Sequence, residues 1–156
     1  MTNNDPLIFP AKAKGILDNK LRKLLQNPKR ILKNYIKPGM TVIDLGCGPG
    51  FFTMSIGEIL EKHGKVIGVD LQGEMLKSLE NRAKNSYFKK IIKIHQSNEN
   101  SIGLDEKADF ILAFWSIHEI RNKRIYLNEI RQLLKENGKL YIVEPIFEVN
   151  KVDFQI

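Results

Sequence analysis

Short apolar runs alternate along this chain with longer stretches in which apolar residues return every three or four positions. The runs predict buried strands at residues 41–45, at Lys65-Val66-Ile67-Gly68-Val69-Asp70, at Ile91-Ile92-Lys93-Ile94-His95, at Ala108 to Phe114 and at Lys139 to Glu144. Helical spacing follows the first run to about Lys62, covers Glu74 to Lys84, and returns from about Lys123 to Glu136, where Ile125, Leu127, Ile130, Leu133 and Leu134 share a face. Gly64 is expected to end the first of these helices in a left-handed cap, and Gly138 to end the last. Gln96 to Lys107 reads as a polar loop, and Pro145 closes the fifth strand. Strands that alternate with helices in this way demand a parallel sheet with right-handed crossovers. The expected fold is therefore α/β, a Rossmann-like doubly wound and mostly parallel sheet.

Ahead of the first strand the apolar spacing, where there is one, is helical. Residues 1–10 carry two prolines and read as irregular. From Lys12 to Gln26, Ile16, Leu17, Leu21, Leu24 and Leu25 fall on one face. Asn27-Pro28 breaks that helix and opens another over 28–36, with Asn27 as N-cap and Pro28 at the first position. Lys37-Pro38-Gly39 is a turn. At 156 residues the chain is expected to be one domain, 1–156, with an N-terminal helical segment (1–37) leading into the sheet-forming core (38–156).

Composition narrows the setting. One cysteine excludes an internal disulfide framework, no apolar run approaches the roughly 20 residues of a membrane span, and the first residues lack the order of a signal peptide, so a cytoplasmic location is expected. The net charge of +7 is uneven: residues 12–37 hold nine lysines and arginines against Asp18 alone, net +8, leaving −1 for everything else. Such a segment suits nucleic acid or an acidic partner. It almost lacks aromatics for stacking bases, which favours a solvated helix face.

The chemistry concentrates after the first strand. Asp44 precedes Gly46-Cys47-Gly48-Pro49-Gly50, and an apolar helix begins at once. Three glycines in five positions let backbone and ligand approach closely, and the helix start offers unpaired N–H groups. A dinucleotide fingerprint would need glycine or alanine where Phe51 stands, so a diphosphate ligand is disfavoured. Asp70, twenty residues after Gly50, ends the second strand where a βαβ unit places an acid for ribose hydroxyls. A glycine-rich turn that binds nothing is the competing reading. His63, His95 and His118 show no ligand spacing, so no metal site is expected.

Asp-x-Gly-x-Gly-x-Gly after an apolar strand, with Asp70 behind it, resembles motif I of the class I S-adenosylmethionine-dependent methyltransferases, over about residues 38–148. The resemblance implies S-adenosylmethionine as cofactor and S-adenosylhomocysteine as product. It puts Asp44, Gly46, Cys47, Gly48 and Gly50 at the methionine end and Asp70 on the ribose. Leu71 and Met75 would lie against adenine, Asn98 with Glu99 at its amino group, and the Phe114 backbone at the methionyl group. Cys47, inside the cofactor loop, is a poor nucleophile candidate. The amine-type Asn/Asp-Pro-Pro-aromatic motif is absent from Ala113-Phe114-Trp115-Ser116-Ile117-His118-Glu119. The Phe-x-x-x-His pattern is instead similar to small-molecule enzymes of the ubiquinone/menaquinone-biosynthesis type. Trp115 then becomes a candidate substrate wall, with core filling as the alternative, and His118 a candidate base, with a structural role as its alternative.

Two further readings stand beside a small-molecule enzyme: an RNA- or protein-directed methyltransferase, and a cofactor-binding module without turnover. The family's last two strands, six and seven, have no counterpart after Glu144, so a truncated form is expected, or an open edge of strand five that limits stability or invites a homodimer.

Overall fold

The computed structural model describes residues 27–144. The helix expected over Lys12–Gln26, most of the basic segment, Pro145 and the residues after it lie outside the described residues. Asn27 caps α1 (Pro28–Leu32) as expected, its Oδ1 accepting the Arg30 N–H at 3.2 Å. The helix is shorter than the apolar spacing to Ile36 suggests: residues 33–35 turn instead, with Ile36 N–H still bonded to Leu32 O, which drops Ile36 into the core at 1% exposure.

The sheet contains β1 (Thr41–Leu45), β2 (Lys65–Asp70), β3 (Ile92–Gln96), β4 (Ala108–Phe114) and β5 (Leu134–Val143), in the order β3-β2-β1-β4-β5. Every pairing is parallel. β1 is central, with Ile43 opposite Ile67 on one side and Ile111 on the other. A strand covered on both faces must be apolar throughout, which explains the unbroken Val42-Ile43 and Phe110-Ile111-Leu112-Ala113 runs. On one face Val42, Val66, Phe110 and Leu112 pack under α2 (Phe51–Leu60) and α1. On the other, Ile43, Leu45, Ile67, Val69, Ile111 and Ala113 pack under α4 (Lys123–Leu133), through Tyr126, Ile130 and Leu133. α3 (Gly73–Ala83) brings Leu76 and Leu79 against Cys47 on the α2 side.

Three boundaries differ from the sequence expectation. α2 ends at Leu60, and its C-cap is Glu61, with positive φ (57°) but ψ −101°, so the expected left-handed cap at Gly64 is not what ends it. Gly64 instead lies where a Cβ would stand 2.4 Å from the Met40 carbonyl, a crossing only glycine permits. α4 stops at Leu133, and β5 begins at once rather than at Lys139. Ala108 pairs with Leu134 and Phe110 with Lys139, so residues 135–138 are an irregularity inside the ladder. Helical periodicity ran through Leu134 because its side chain packs on the same apolar cluster as the helix face. Among the described residues no further strand follows β5.

Strand order reverses between β1 and β4. In open parallel sheets ligands sit outside the carboxyl ends of the strands at that reversal. The residues there are Gly46 onward after β1, Leu71 onward after β2 and Trp115 onward after β4.

Candidate active site

After Leu45 the chain turns through Gly46 (φ 67°), Gly48 (φ 53°) and Gly50 (φ 87°) before entering α2. The turn is tied down by its own backbone: Cys47 N–H donates to Val69 O at 2.9 Å and Gly50 N–H to Cys47 O at 3.0 Å. A Cβ on Gly46 would stand 2.4 Å from the Ser116 Cβ, whereas one on Gly48 would meet nothing within 4 Å among the described residues. The turn is thus packed on one side and open on the other.

Asp70 faces this turn. Its Oδ2 accepts the Gly48 N–H and its Oδ1 the Gln72 N–H, both at 2.8 Å. It is 9% exposed, and burial raises its pKa, partly opposed by bonds from Gln72, Gly48 and Leu71. Each carboxylate oxygen can accept more than one hydrogen bond, so lone pairs remain for a ligand. Leu71 is half-buried beyond the strand end, and Met75 is buried in the first turn of α3.

Asp44 takes a different position. It is 2% exposed on the α2 face, and its Oδ2 accepts the hydroxyl of fully buried Thr53 at 2.5 Å. Thr53→Val should therefore lower stability by about 2 kcal/mol, since a hydrogen bond to a buried charge is lost with little change of shape, and a shifted urea midpoint would register it. Cys47 lies on the same side among Leu76, Leu79 and Met54. Burial pushes its thiol well up, with the Asp44 and Asp70 charges adding to the rise, so the sulfur stays a neutral thiol and not a nucleophile.

The turn after β3 is joined to Asp70 by Ser97 N–H donating to Asp70 O at 3.1 Å. Asn98 is exposed, and its Oδ1 accepts the Asn100 N–H at 2.9 Å, closing its own turn; Glu99 is exposed in that turn. Among the described residues no three histidine, cysteine or acidic side chains gather as a metal site, and His95 Nε2 bonds to Ile102 O at 2.8 Å.

At the end of β4, Phe114 lies tilted against Phe52 with ring centroids 4.3 Å apart. Trp115 takes a left-handed backbone (φ 57°) and is 38% exposed, its N–H donating to Val143 O at 2.7 Å. A left-handed non-glycine residue costs about 1–2 kcal/mol, so the bend there is imposed by its surroundings. The bend leads into a short 3₁₀ turn, Ile117–Glu119. Glu144, whose side chain is 4% exposed, organises that turn from the end of β5. Its Oε1 accepts the Ser116 N–H at 3.2 Å and the Ile117 N–H at 2.7 Å, and its Oε2 bonds to His118 Nδ1.

Two residues of this site escape the sequence reading. Ser116 is 9% exposed, and its Oγ is buried beside Gly46 without a hydrogen-bond partner among the described residues. Glu144 was visible only as one more acid at a strand end, the same signal that marks Asp44 and Asp70.

The model of a methyltransferase-domain family matches residues 36–152. This chain belongs to the S-adenosylmethionine-dependent methyltransferases. A solved methyltransferase of that kind from Aquifex aeolicus superposes with a TM-score of 0.82 at 30% identity, over 92% of this chain and 82% of the other. A protein of Invertebrate iridescent virus 6, named as a methyltransferase, is 37% identical over 75% of this chain and 42% of its own length. The ubiquinone/menaquinone biosynthesis C-methyltransferase UbiE of Wigglesworthia glossinidia brevipalpis is 27% identical over 79% of this chain and 51% of its own. The chain thus spans about half the length of these curated relatives.

The methyltransferase cofactor is S-adenosylmethionine, and the residues present fit it. The space over Gly48 is open, the Ser116 Oγ is a buried polar atom still wanting a partner, and Asp70 keeps acceptor capacity toward the same turn. The methyltransferase sheet also supplies the strand-end arrangement that brings these three together.

Proposed function

We propose that this chain transfers a methyl group from S-adenosylmethionine to a small-molecule acceptor by in-line displacement. The observation that carries the reading is Asp70 bonded to Gly48 at 2.8 Å beside an open glycine face. Bound there, the cofactor supplies a methyl carbon already activated by a sulfonium. The protein's part is then to hold, orient and exclude water. Asp70 accepts the two ribose hydroxyls. Gly46, Gly48 and Gly50 give main-chain surface to the amino-acid tail, and the Ser116 hydroxyl bonds to that tail. Leu71 and Met75 form the apolar wall for adenine, and the Phe114 backbone meets the methionyl group. Asp44 and Cys47 act by shaping the turn from beneath. Asn98 and Glu99 border the adenine side through their turn, whose side-chain amide already serves Asn100. Trp115, exposed at the mouth, is the candidate wall for the acceptor.

A small acceptor is supported by the UbiE relative and by the absence of an amine-type loop after β4. Titration calorimetry of the purified chain with S-adenosylhomocysteine should give micromolar binding. An absence of heat at millimolar ligand, with the chain folded by circular dichroism, overturns the proposal.

A further inference from the structure

The Glu144–His118 contact has a chemical consequence. A neutral imidazole carries one proton, and the hydrogen bond made by one nitrogen decides where that proton sits. The Glu144 carboxylate is an acceptor only, already oriented by two backbone N–H groups on its other oxygen. It therefore keeps the proton on Nδ1 and leaves the lone pair on Nε2. The imidazole retains 19% side-chain exposure, whereas Glu144 is nearly enclosed, so the lone pair belongs to the group that can be reached. This histidine stands three residues past Trp115 and two past Ser116, whose side chain occupies the space beside Gly46.

We propose that Glu144 is a positioning residue that makes His118 a general base, and that the acceptor is accordingly a protic acid, a phenol or enol, and not an amine already nucleophilic at neutral pH. The inference rests on the proposed methyltransferase activity. The step balances as follows. The acceptor's O–H proton passes to Nε2, the electron pair left on oxygen makes the bond to the methyl carbon, and the carbon–sulfur pair departs with the sulfur. The carboxylate of Glu144 faces the resulting imidazolium, and water later removes the proton.

Glu144→Gln tests this because the amide keeps the shape. Its Oε1 still accepts the Ser116 and Ile117 N–H groups. Its NH₂ must donate to Nδ1, which forces the ring proton onto Nε2 and removes the base. In ¹⁵N-resolved histidine spectra of the chain without ligands, His118 should be the Nδ1–H tautomer in the wild type and the Nε2–H tautomer in the variant. In turnover on substituted phenols, from 4-nitrophenol (ionised at the assay pH) to unsubstituted phenol, the variant should lose about 10²–10⁴-fold in kcat on the protonated acceptors. It should lose little on the ionised ones, with acceptor KM and S-adenosylhomocysteine affinity unchanged. His118→Gln should repeat that pattern.

An unchanged tautomer in Glu144→Gln, wild-type rates in both variants, or an equal loss on ionised and protonated phenols overturns the dyad. If the wild type binds S-adenosylhomocysteine yet methylates no phenol of the series, the acceptor class is overturned while the cofactor site stands. If it binds no S-adenosylhomocysteine, the proposed function itself fails.

Discussion

Asp70→Ala should abolish measurable S-adenosylhomocysteine binding while leaving the chain folded. A buried carboxylate that accepts two hydroxyls makes two charge-assisted bonds, each contributing about 1.5–3 kcal/mol. Losing both takes about 3–6 kcal/mol from the affinity, a factor of about 10² to 10⁴, which moves a micromolar ligand to about 0.1–10 mM. Folding changes less, because the anion's burial is itself costly: Asp70 has a raised pKa whose largest cause is desolvation. The signs of the two pH dependences follow from that shift. Since the folded-state pKa lies above the unfolded one, the contribution to stability is complete at low pH and is lost as pH rises through the folded value. Binding runs the other way, because only the anion accepts from both hydroxyls. Calorimetry between neutral and acid pH should therefore show affinity falling as pH falls, beginning at a higher pH than for an ordinary exposed aspartate. Retained binding in Asp70→Ala would remove this residue from the nucleoside site.

Gly46→Arg should eliminate cofactor binding and lower stability together. The backbone at φ 67° disfavours any side chain, and the first added carbon would stand 2.4 Å from the Ser116 Cβ. Ser116 cannot withdraw freely, because its N–H and that of Ile117 are held by Glu144. Backbone strain and overpacking together amount to about 3 kcal/mol here. That corresponds to a fall of about 6–12 °C in Tm for a chain of this size. Gly48→Ala provides the contrast. It meets the same conformational penalty at φ 53° but strikes no protein atom, so its effect should fall more on ligand affinity than on melting. Unchanged ligand affinity in Gly48→Ala would show that the open face over Gly48 is not where the ligand lies.

The parts of the fold that could be read from the sequence are those in which one physical demand dominates. Val42-Ile43 and Phe110-Ile111-Leu112-Ala113 are buried on both faces of the sheet, and nothing but a central parallel strand asks for such runs. The turn at Gly46 to Gly50 was legible because positive φ selects glycine, and Asp70 because an acid at a strand end is otherwise expensive. Boundaries were less legible where two elements share one apolar cluster, as at Leu134. The least legible features depend on contact between segments distant in sequence. Ser116 matters because of Gly46, seventy residues earlier, and Glu144 because of His118, twenty-six residues earlier. Neither residue type is unusual in its own neighbourhood, so local pattern gives no sign of either pairing. Asn98 illustrates the reverse. Its place after β3 suggests either a ligand contact or a turn residue capping its own backbone, and its Oδ1 accepts the Asn100 N–H of such a turn.

The central position of β1 bears on how the molecule is made. One edge of that strand is satisfied by β2, soon after it in the chain, but the other waits for β4, whose Asp109 side chain takes the Thr41 N–H across a separation of 68 residues. Until that segment leaves the ribosome, the middle of the sheet keeps one unpaired edge on an apolar strand. Closing so long a loop is entropically slow. Nascent chains halted before residue 108 should therefore be the species that chaperones bind and proteases cut.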